Sequence, residues 1–577
     1  MPTLDFKGKS HVYGHHLVVP WRPLVPLPDR SVGAGAVDDN LIIHGDNLHA
    51  LKALLPRYAG RVKCVCIDPP YNTGNEGWVY NDNGNSPALR HWLSENGSVD
   101  GEDLERHDKW LTMMWPRLQL LRQLLSDDGV IFVSIDDNEV HHLRMMMDEI
   151  FGEENFVGSF VWEGTGKNDA RFISVGHDYV LSYAKDITAT RENGNRWRAT
   201  KEGVDEINAA AASAWEAHGG NPVAASDALQ AWFAGLDKRH KAFPHRHYHW
   251  VDERGVYFAG DISWPGGGGP EYEILHPDTR KAVKVPSRGW QYPDRERLVK
   301  LIEDNRVHFG ADETTVPQLK RYLNETSGQV LTSVFYQDRR AAHQELVRIL
   351  PEVEFQYPKD ERVIRRLLEV VTSADDIILD SFAGSGTTGH AVLALNKQDG
   401  GNRRFIMVEC EDYADDVTAE RMRRVIAGAD EARDASLREG LGGTFTYCAL
   451  GERTSGAGML SGESLPSFDD LAAWLVHSAT GQSVGTEDLA TRDGHGLIYS
   501  DDSRDYYLIY EPDIEWLQTN ESVLTAPRAE AIGAICHERD RSAVVFATAR
   551  YIPQDELKDM RVMFAQLPFA VQQIDEA

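Results

Sequence analysis

The chain has 577 residues, 42% hydrophobic and 26% charged, which is ordinary for a globular protein and too long for a single core. A formal net charge of −30 excludes a uniformly basic nucleic-acid binder and leaves room only for a local basic face. No apolar run approaches the ~20 residues of a membrane span, no signal-peptide core opens the chain, and five scattered cysteines form neither a disulfide framework nor a metal quartet, so a reducing cytoplasm is expected.

Residues 1–40 are rich in proline and glycine and are expected to form an arm. LIIHGDNLHALKALL (Leu41–Leu55) reads as a strand, a turn at Gly45-Asp46-Asn47 and an amphipathic helix. VKCVCI then reads as a buried strand, followed by DPPYNTG (Asp68–Gly74). The spacing predicts a helix over Lys109–Gly129, with a kink at Pro116, a strand over Val130–Ile135 and a helix in EVHHLRMMMDEIFG. This alternation implies a parallel sheet.

The rhythm breaks after about residue 163 and resumes near 360, so an inserted domain is expected between. Within it, DKRHKAFPHRHYHW carries Lys238, Arg239, Lys241 and Arg246 among aromatic and histidine residues. Two readings stand for this patch: a solvated loop, or a surface that tracks phosphates and stacks bases. No cysteine partner or carboxylate spacing supports a metal there. Alternation returns with a helix in ERVIRRLLEVVT, strands at DIILD and RRFIMVEC, and a further α/β segment from about 440.

DIILDSFAGSGTTGH places Gly384-Ser-Gly386-Thr-Thr-Gly389 between a strand and a helix, and Glu409 ends the next strand. Glycines there allow close backbone approach to a ligand, and an acid after the second strand suits ribose hydroxyls. A nicotinamide cofactor and S-adenosyl-L-methionine both meet that description; Phe382, in the form F-x-G-x-G, leans toward the second. DPPY leans further. An exocyclic nucleobase amine is a poor nucleophile until both its N–H groups find acceptors. Asp68 and the carbonyl of Pro69 can supply them, Pro70 stiffens the loop, and Tyr71 offers a stacking face. A base inside a duplex reaches such a loop only by flipping out.

On Asp68-Pro69-Pro70-Tyr71 and Phe382-Ala383-Gly384-Ser385-Gly386, the chain resembles an amino-group DNA methyltransferase of the kind that methylates adenine N6. The order of catalytic loop, insertion and cofactor loop is similar to the β class of that family. HGDNLHALKALLPRYAGRVKCVCIDPPYNTG, FQYPKDERVIRRLLEVV and ILDSFAGSGTTGHAV resemble the modification subunit of type III restriction systems. The resemblance implies a Rossmann-like α/β methyltransferase sheet, split as 41–163 and 336–430, with a target recognition insertion at 164–335 and a C-terminal α/β domain at 431–577 for dimerisation or partner binding. It implies that Asp46 contacts the cofactor adenine. Asp380, Phe382, Gly384 and Gly386 would surround its methionine part, Thr387 and Thr388 its carboxylate end, and Glu409 its ribose. Lys359 would assist cofactor binding, and Asp68, Pro69 and Tyr71 would hold the target base, Asn72 either assisting them or stabilising the turn. Double-stranded DNA, a second copy of the chain and, in a type III-like system, a helicase–nuclease subunit are the implied partners. Cytosine N4 as target, an NAD-dependent oxidoreductase and a non-catalytic DNA-binding subunit are the alternatives; the last two leave intact motif residues unexplained.

Overall fold

The computed structural model describes residues 3–74, 105–164, 172–192 and 197–567, apart from 202, 239, 327, 338, 455, 486–488 and 490–493. They form two compact bodies, Met1–Arg196 with Thr332–Ala577, and Trp197–Leu331. No helix among the described residues is long and apolar enough to cross a membrane.

A ten-stranded sheet organises the first body. In chain order its strands are β1 (Leu24–Pro26), β2 (Leu41–His44), β3 (Val62–Ile67), β4 (Leu125–Ile135), β5 (Phe156–Glu163), β6 (His177–Ala184), β7 (Val334–Tyr336), β8 (Ile377–Asp380), β9 (Arg404–Glu409) and β10 (Thr446–Leu450). Their spatial order is β1-β10-β2-β9-β8-β3-β4-β6-β5-β7. The run from β10 to β4 is parallel throughout, and β6 runs antiparallel to both β4 and β5. This is a Rossmann-like α/β sheet. Every residue of VKCVCI is buried, as expected of an inner parallel strand covered on both faces.

The connecting helices are α1 (Asn47–Tyr58), α2 (Arg106–Leu124), α3 (Val140–Phe151), α4 (Glu361–Val371), α5 (Thr387–Asp399) and α6 (Glu420–Ala427). Asp46 caps α1 by accepting from Leu48 N at 2.8 Å, and Asp360 caps α4 by accepting from Arg362 N at 3.0 Å. The helix expected over Lys109–Gly129 stops at Leu124, with Pro116 inside it, and β4 takes over. Gly129 belongs to that strand, where its register against β3 shifts. A Cβ on Gly129 would lie 2.8 Å from the Ser126 carbonyl and 3.0 Å from that of Val62, so the irregularity requires glycine.

The sheet also reaches past the expected domain edges. β6 and all but the last residue of β7 lie within the predicted insertion 164–335, and β10 lies beyond residue 430. The separate body is the shorter Trp197–Leu331. It packs helices Val204–Ala217 and Pro222–Ala234 through Ile207, Leu229 and Phe233 and carries a four-stranded antiparallel sheet. After β10 a second sheet runs through Leu497–Ser500, Arg504–Leu508, Ser542–Ala547 and Val562–Gln566. The helix Phe468–Thr480 beside it is tied to α1 by the Arg57–Asp470 ion pair at 2.9 Å.

The N-terminal 40 residues are less of an arm than expected. Leu4, Phe6, Val12 and Val19 join the main core, and Trp21 stacks on Trp474 at 5.0 Å between centroids and 7° between planes. Trp21→Ala should therefore cost about 3–5 kcal/mol, the range for deleting a buried large aromatic. Denaturant unfolding checks this; a loss below about 1 kcal/mol would mean that the stack carries little.

Candidate active site

β3 and β8 are adjacent parallel strands, with Val65 opposite Leu379. The chain turns from β3 to β4 on one side and from β8 to β9 on the other. The crevice at their carboxyl ends is a topological switch point, where open α/β sheets bind ligands. Asp68-Pro69-Pro70-Tyr71 leaves β3 there and the glycine-rich turn leaves β8 there, more than 300 positions apart in sequence. A cleft of about 730 Å³ lined by Asn40, Asp375, Arg404 and Thr444 lies at the opposite, N-terminal ends of the strands and holds none of these residues.

On the β3 side, Asp68 is 32% exposed and its Oδ1 stands 2.9 Å from Lys359 Nζ, a charge contact off the hydrogen-bonding direction. The same ammonium donates to the Tyr71 hydroxyl at 2.7 Å, stands 4.7 Å from the Tyr71 ring centroid and 3.9 Å from Asp178. Burial first, then the charge of Asp68, pushes the Tyr71 phenol well above its usual range, so it stays protonated. Pro69 is buried. The carbonyl of Pro70 accepts from Trp110 Nε1 at 2.7 Å. Lys359 thus brings its side chain to the proline loop, while its carbonyl accepts from Thr387 Oγ1 at 3.3 Å beside the glycine turn.

On the β8 side, Gly384 and Gly386 have φ of +52° and +78°. A Cβ on Gly386 would meet the Thr418 carbonyl at 3.2 Å; one on Gly384 would find Phe355 nearest, at 3.5 Å. Glu409 Oε2 accepts from Gly384 N at 2.7 Å and Oε1 from Glu411 N at 3.0 Å. Burial raises the Glu409 carboxyl above its usual range. Asp380 accepts from Phe382 N at 3.0 Å and from Thr388 Oγ1 at 2.6 Å. Phe382 belongs to the main core. Asp46 lies at the end of β2, 3.5 Å from Arg117 Nη2. Arg117 also holds Asn47, whose side chain donates to the Ser381 carbonyl at 2.8 Å.

Several supporting residues had no part in the sequence reading. Arg421 is buried under the turn and donates to Ser385 Oγ and Thr387 Oγ1, both at 3.0 Å, and to His390 Nδ1 at 3.1 Å. Burial lowers its pKa to about 10. Its signal was a charge on the apolar stripe of Met422 and Val425. Asp178, Trp110 and the Phe355–Tyr413 edge-to-face pair carry no comparable signal. In the other body, Lys238, Lys241 and Arg246 are exposed, and the Arg246 guanidinium lies 4.6 Å from the Phe243 ring centroid. Arg239 lies outside the described residues.

Burial raises the Asp380 carboxyl from 3.8 to about 7. A folded-state pKa above the unfolded one means that the native protein binds the extra proton. The burial penalty is then absent below about pH 4 and grows as pH rises to about 7, reaching on the order of 4 kcal/mol. Asp380→Asn, which keeps an acceptor for Phe382 N, should flatten the fall in melting temperature between these pH values. An unchanged pH slope in thermal melts would place the penalty elsewhere.

The match to known proteins follows this geometry. The family model described as DNA methylase matches residues 62–420, from the first residue of β3 to the first of α6. The Mod subunit of the Escherichia coli type III restriction-modification enzyme EcoP15I is 34% identical over 439 residues, covering 72% of this chain and 65% of that one. The StyLTI Mod subunit of Salmonella typhimurium is 32% identical over 74% of this chain and 63% of its own. The type II methyltransferase M.KpnI of Klebsiella pneumoniae is 30% identical over 63% of this chain and 79% of its own. The chain thus spans under two thirds of the length of both Mod subunits. With both loops on neighbouring strands and more than half of its residues matched by the family model, the chain belongs to the DNA methylase family.

Proposed function

We propose that the protein transfers a methyl group from S-adenosyl-L-methionine to the N6 amine of an adenine flipped out of duplex DNA. The observation that carries this reading is the emergence of the Asp68–Tyr71 loop and the Phe382–Gly386 turn from adjacent parallel strands. The residues suit the co-substrate. Glu409 ends β9 where a ribose would need an acid, and the Ser381 hydroxyl is buried with no partner among the described residues. Space stands over Gly384 beside Phe355. Asp46, Asp380, Phe382, Thr387 and Thr388 frame the same end of the sheet. When bound, the sulfonium supplies an already activated methyl group.

The protein's own task is alignment. Asp68 and the Pro69 carbonyl accept from the two N–H groups of the target amine, which frees its lone pair. Tyr71 stacks the base, worth about 1–3 kcal/mol. The proton leaves the methylated, acidic nitrogen afterwards, so no strong base is needed beforehand. Lys359 makes two contacts of the kind the base would need, to Asp68 and over the Tyr71 ring. We assign it to the base pocket as well as to the turn, and base entry requires its ammonium to yield toward Asp178.

Incubation with labelled S-adenosyl-L-methionine and mixed-sequence duplex DNA, followed by nucleoside analysis, tests the reading. Label is expected on N6-methyladenine. Label on N4-methylcytosine would move the target, and no label on DNA of diverse sequence would overturn the function. Asp68→Ala should lower transfer at least about 100-fold while DNA binding persists; retained transfer would sink the role of Asp68.

The Trp197–Leu331 body is the proposed reader of DNA sequence, supported by the exposed cations around Arg246. Homodimers, pairing with a restriction subunit and a cytoplasmic location belong to the same reading; the relatives named as Mod subunits support the second. Neutralising Lys238, Lys241 and Arg246 together should reduce the slope of log affinity against log salt by about 2–3. An unchanged slope would return the patch to ordinary surface.

A further inference from the structure

Behind the Asp68–Tyr71 loop lies a polar cluster that the proposed chemistry does not use. Asn72 follows Tyr71, is fully buried and has φ of +60°. Asparagine tolerates the left-handed region better than most residues, yet such a conformation persists only where its surroundings over-determine it. Asn72 Nδ2 donates to Glu139 Oε1 at 2.5 Å and to the Arg106 carbonyl at 3.2 Å. Glu139 is itself 0% exposed, at the N-terminus of α3. His107 Nδ1 lies 2.5 Å from its Oε1 and His142 Nδ1 lies 2.8 Å from its Oε2. Both imidazoles thus face the one carboxyl group through Nδ1.

His107, Glu139 and His142 are residue types that could share a metal ion. The distances argue otherwise. Ligand atoms about 2.0–2.1 Å from one tetrahedral zinc stand about 3.3 Å apart. The 2.5 and 2.8 Å separations are shorter than that and put both Nδ1 atoms in direct contact with the carboxyl group instead. What the cluster holds on the loop side is Asn72.

We propose that Glu139 is a positioning residue. Through Asn72 it sets the direction in which Asp68, Pro69 and Tyr71 meet the target base. Glu139 fixes the residue after Tyr71, and Trp110 fixes the residue before it through the Pro70 carbonyl. The loop is thus clamped on both sides of its aromatic ring. The inference rests on the base-binding reading of the loop.

The test compares the full-length protein with Glu139→Ala, Glu139→Gln, Asn72→Ala and the Glu139→Ala/Asn72→Ala double variant. A loop misplaced by about 1 Å predicts a roughly 100-fold fall in kcat for Glu139→Ala, with S-adenosyl-L-methionine affinity unchanged. Glu139→Gln keeps a carbonyl for Asn72 and should recover most of the rate. The double variant should be no slower than Glu139→Ala, because both changes remove the Glu139–Asn72 bond. Amide hydrogen exchange over residues 68–74 should speed up in Glu139→Ala. Wild-type kcat, additive losses, or a parallel loss of cofactor affinity would overturn the proposal. If Glu139→Ala does not fold, Asn72→Ala must show the same rate loss, and wild-type kcat there overturns it. If the wild-type protein transfers no methyl group, the proposed function fails separately. The exchange comparison still decides: unchanged exchange in Glu139→Ala defeats the clamp.

Discussion

The pairing of β3 with β8 is the contact on which the rest of the site depends. Each strand is short and wholly buried, so hydrogen bonding to its neighbours is the only way to satisfy its backbone. Once they are adjacent and parallel, their carboxyl ends coincide, and two loops from distant parts of the chain share a crevice. Asp380 feels the charge of Asp68 for this reason. No feature of either loop alone would create the site. Prolines beside an acid are a stiff turn, and a glycine turn before a helix is a common strand exit, until strand order sets them side by side.

The crevice collects charge that the fold must then support. Asp380, Glu409 and Arg421 are all buried, and burial alone moves each toward its neutral form. Apolar packing cannot hold such groups; each must be met by donors or acceptors of fixed direction. The backbone N–H groups of Phe382, Gly384 and Glu411 meet the two acids, and the hydroxyls of Ser385 and Thr387 meet the guanidinium. The turn is therefore held in shape by the groups that its residues solvate. This organisation is costly for stability, which is the pattern expected where geometry serves chemistry.

Much of this was legible in the residues. Apolar runs of four to six residues announced the inner strands, and DPPY and FAGSG announced what leaves them. The expected edges of the insertion fell short of the sheet because β6 and β7 follow a segment whose rhythm had broken. A local pattern does not show a strand that earns its place by pairing with β4 or β5. Residues 1–40 misled through composition. Their prolines and glycines suggested an arm, but Leu4 and Phe6 reach the main core and Trp21 the separate cluster around Trp474, one at a time. The supporting charges were hidden for a different reason. Glu139 sits in a run of acids, and only burial distinguishes it from Asp136 and Asp137. Arg421 could have been found, since a cation on the apolar stripe of a helix needs an explanation.

The order of the chain now has a physical sense. Between the two loops it completes β4, β5 and β6, leaves for the Trp197–Leu331 body, and re-enters at β7 to pair with β5. Everything that places Asp68 is made before the departure: β3, α2 and the start of α3. Asp380 and Glu409 end strands made after the return, β8 and β9, but these pair with β3 and β2, made before it, and Asn47 of α1 donates to the Ser381 carbonyl. Lys359 crosses the other way, arriving late in sequence yet reaching back to Asp68 and Tyr71. Lengthening the segment between β6 and β7 costs only slowly growing loop entropy. What it cannot change is the β3–β8 register, because a shift there would separate the acid at the end of one strand from the turn at the end of the other.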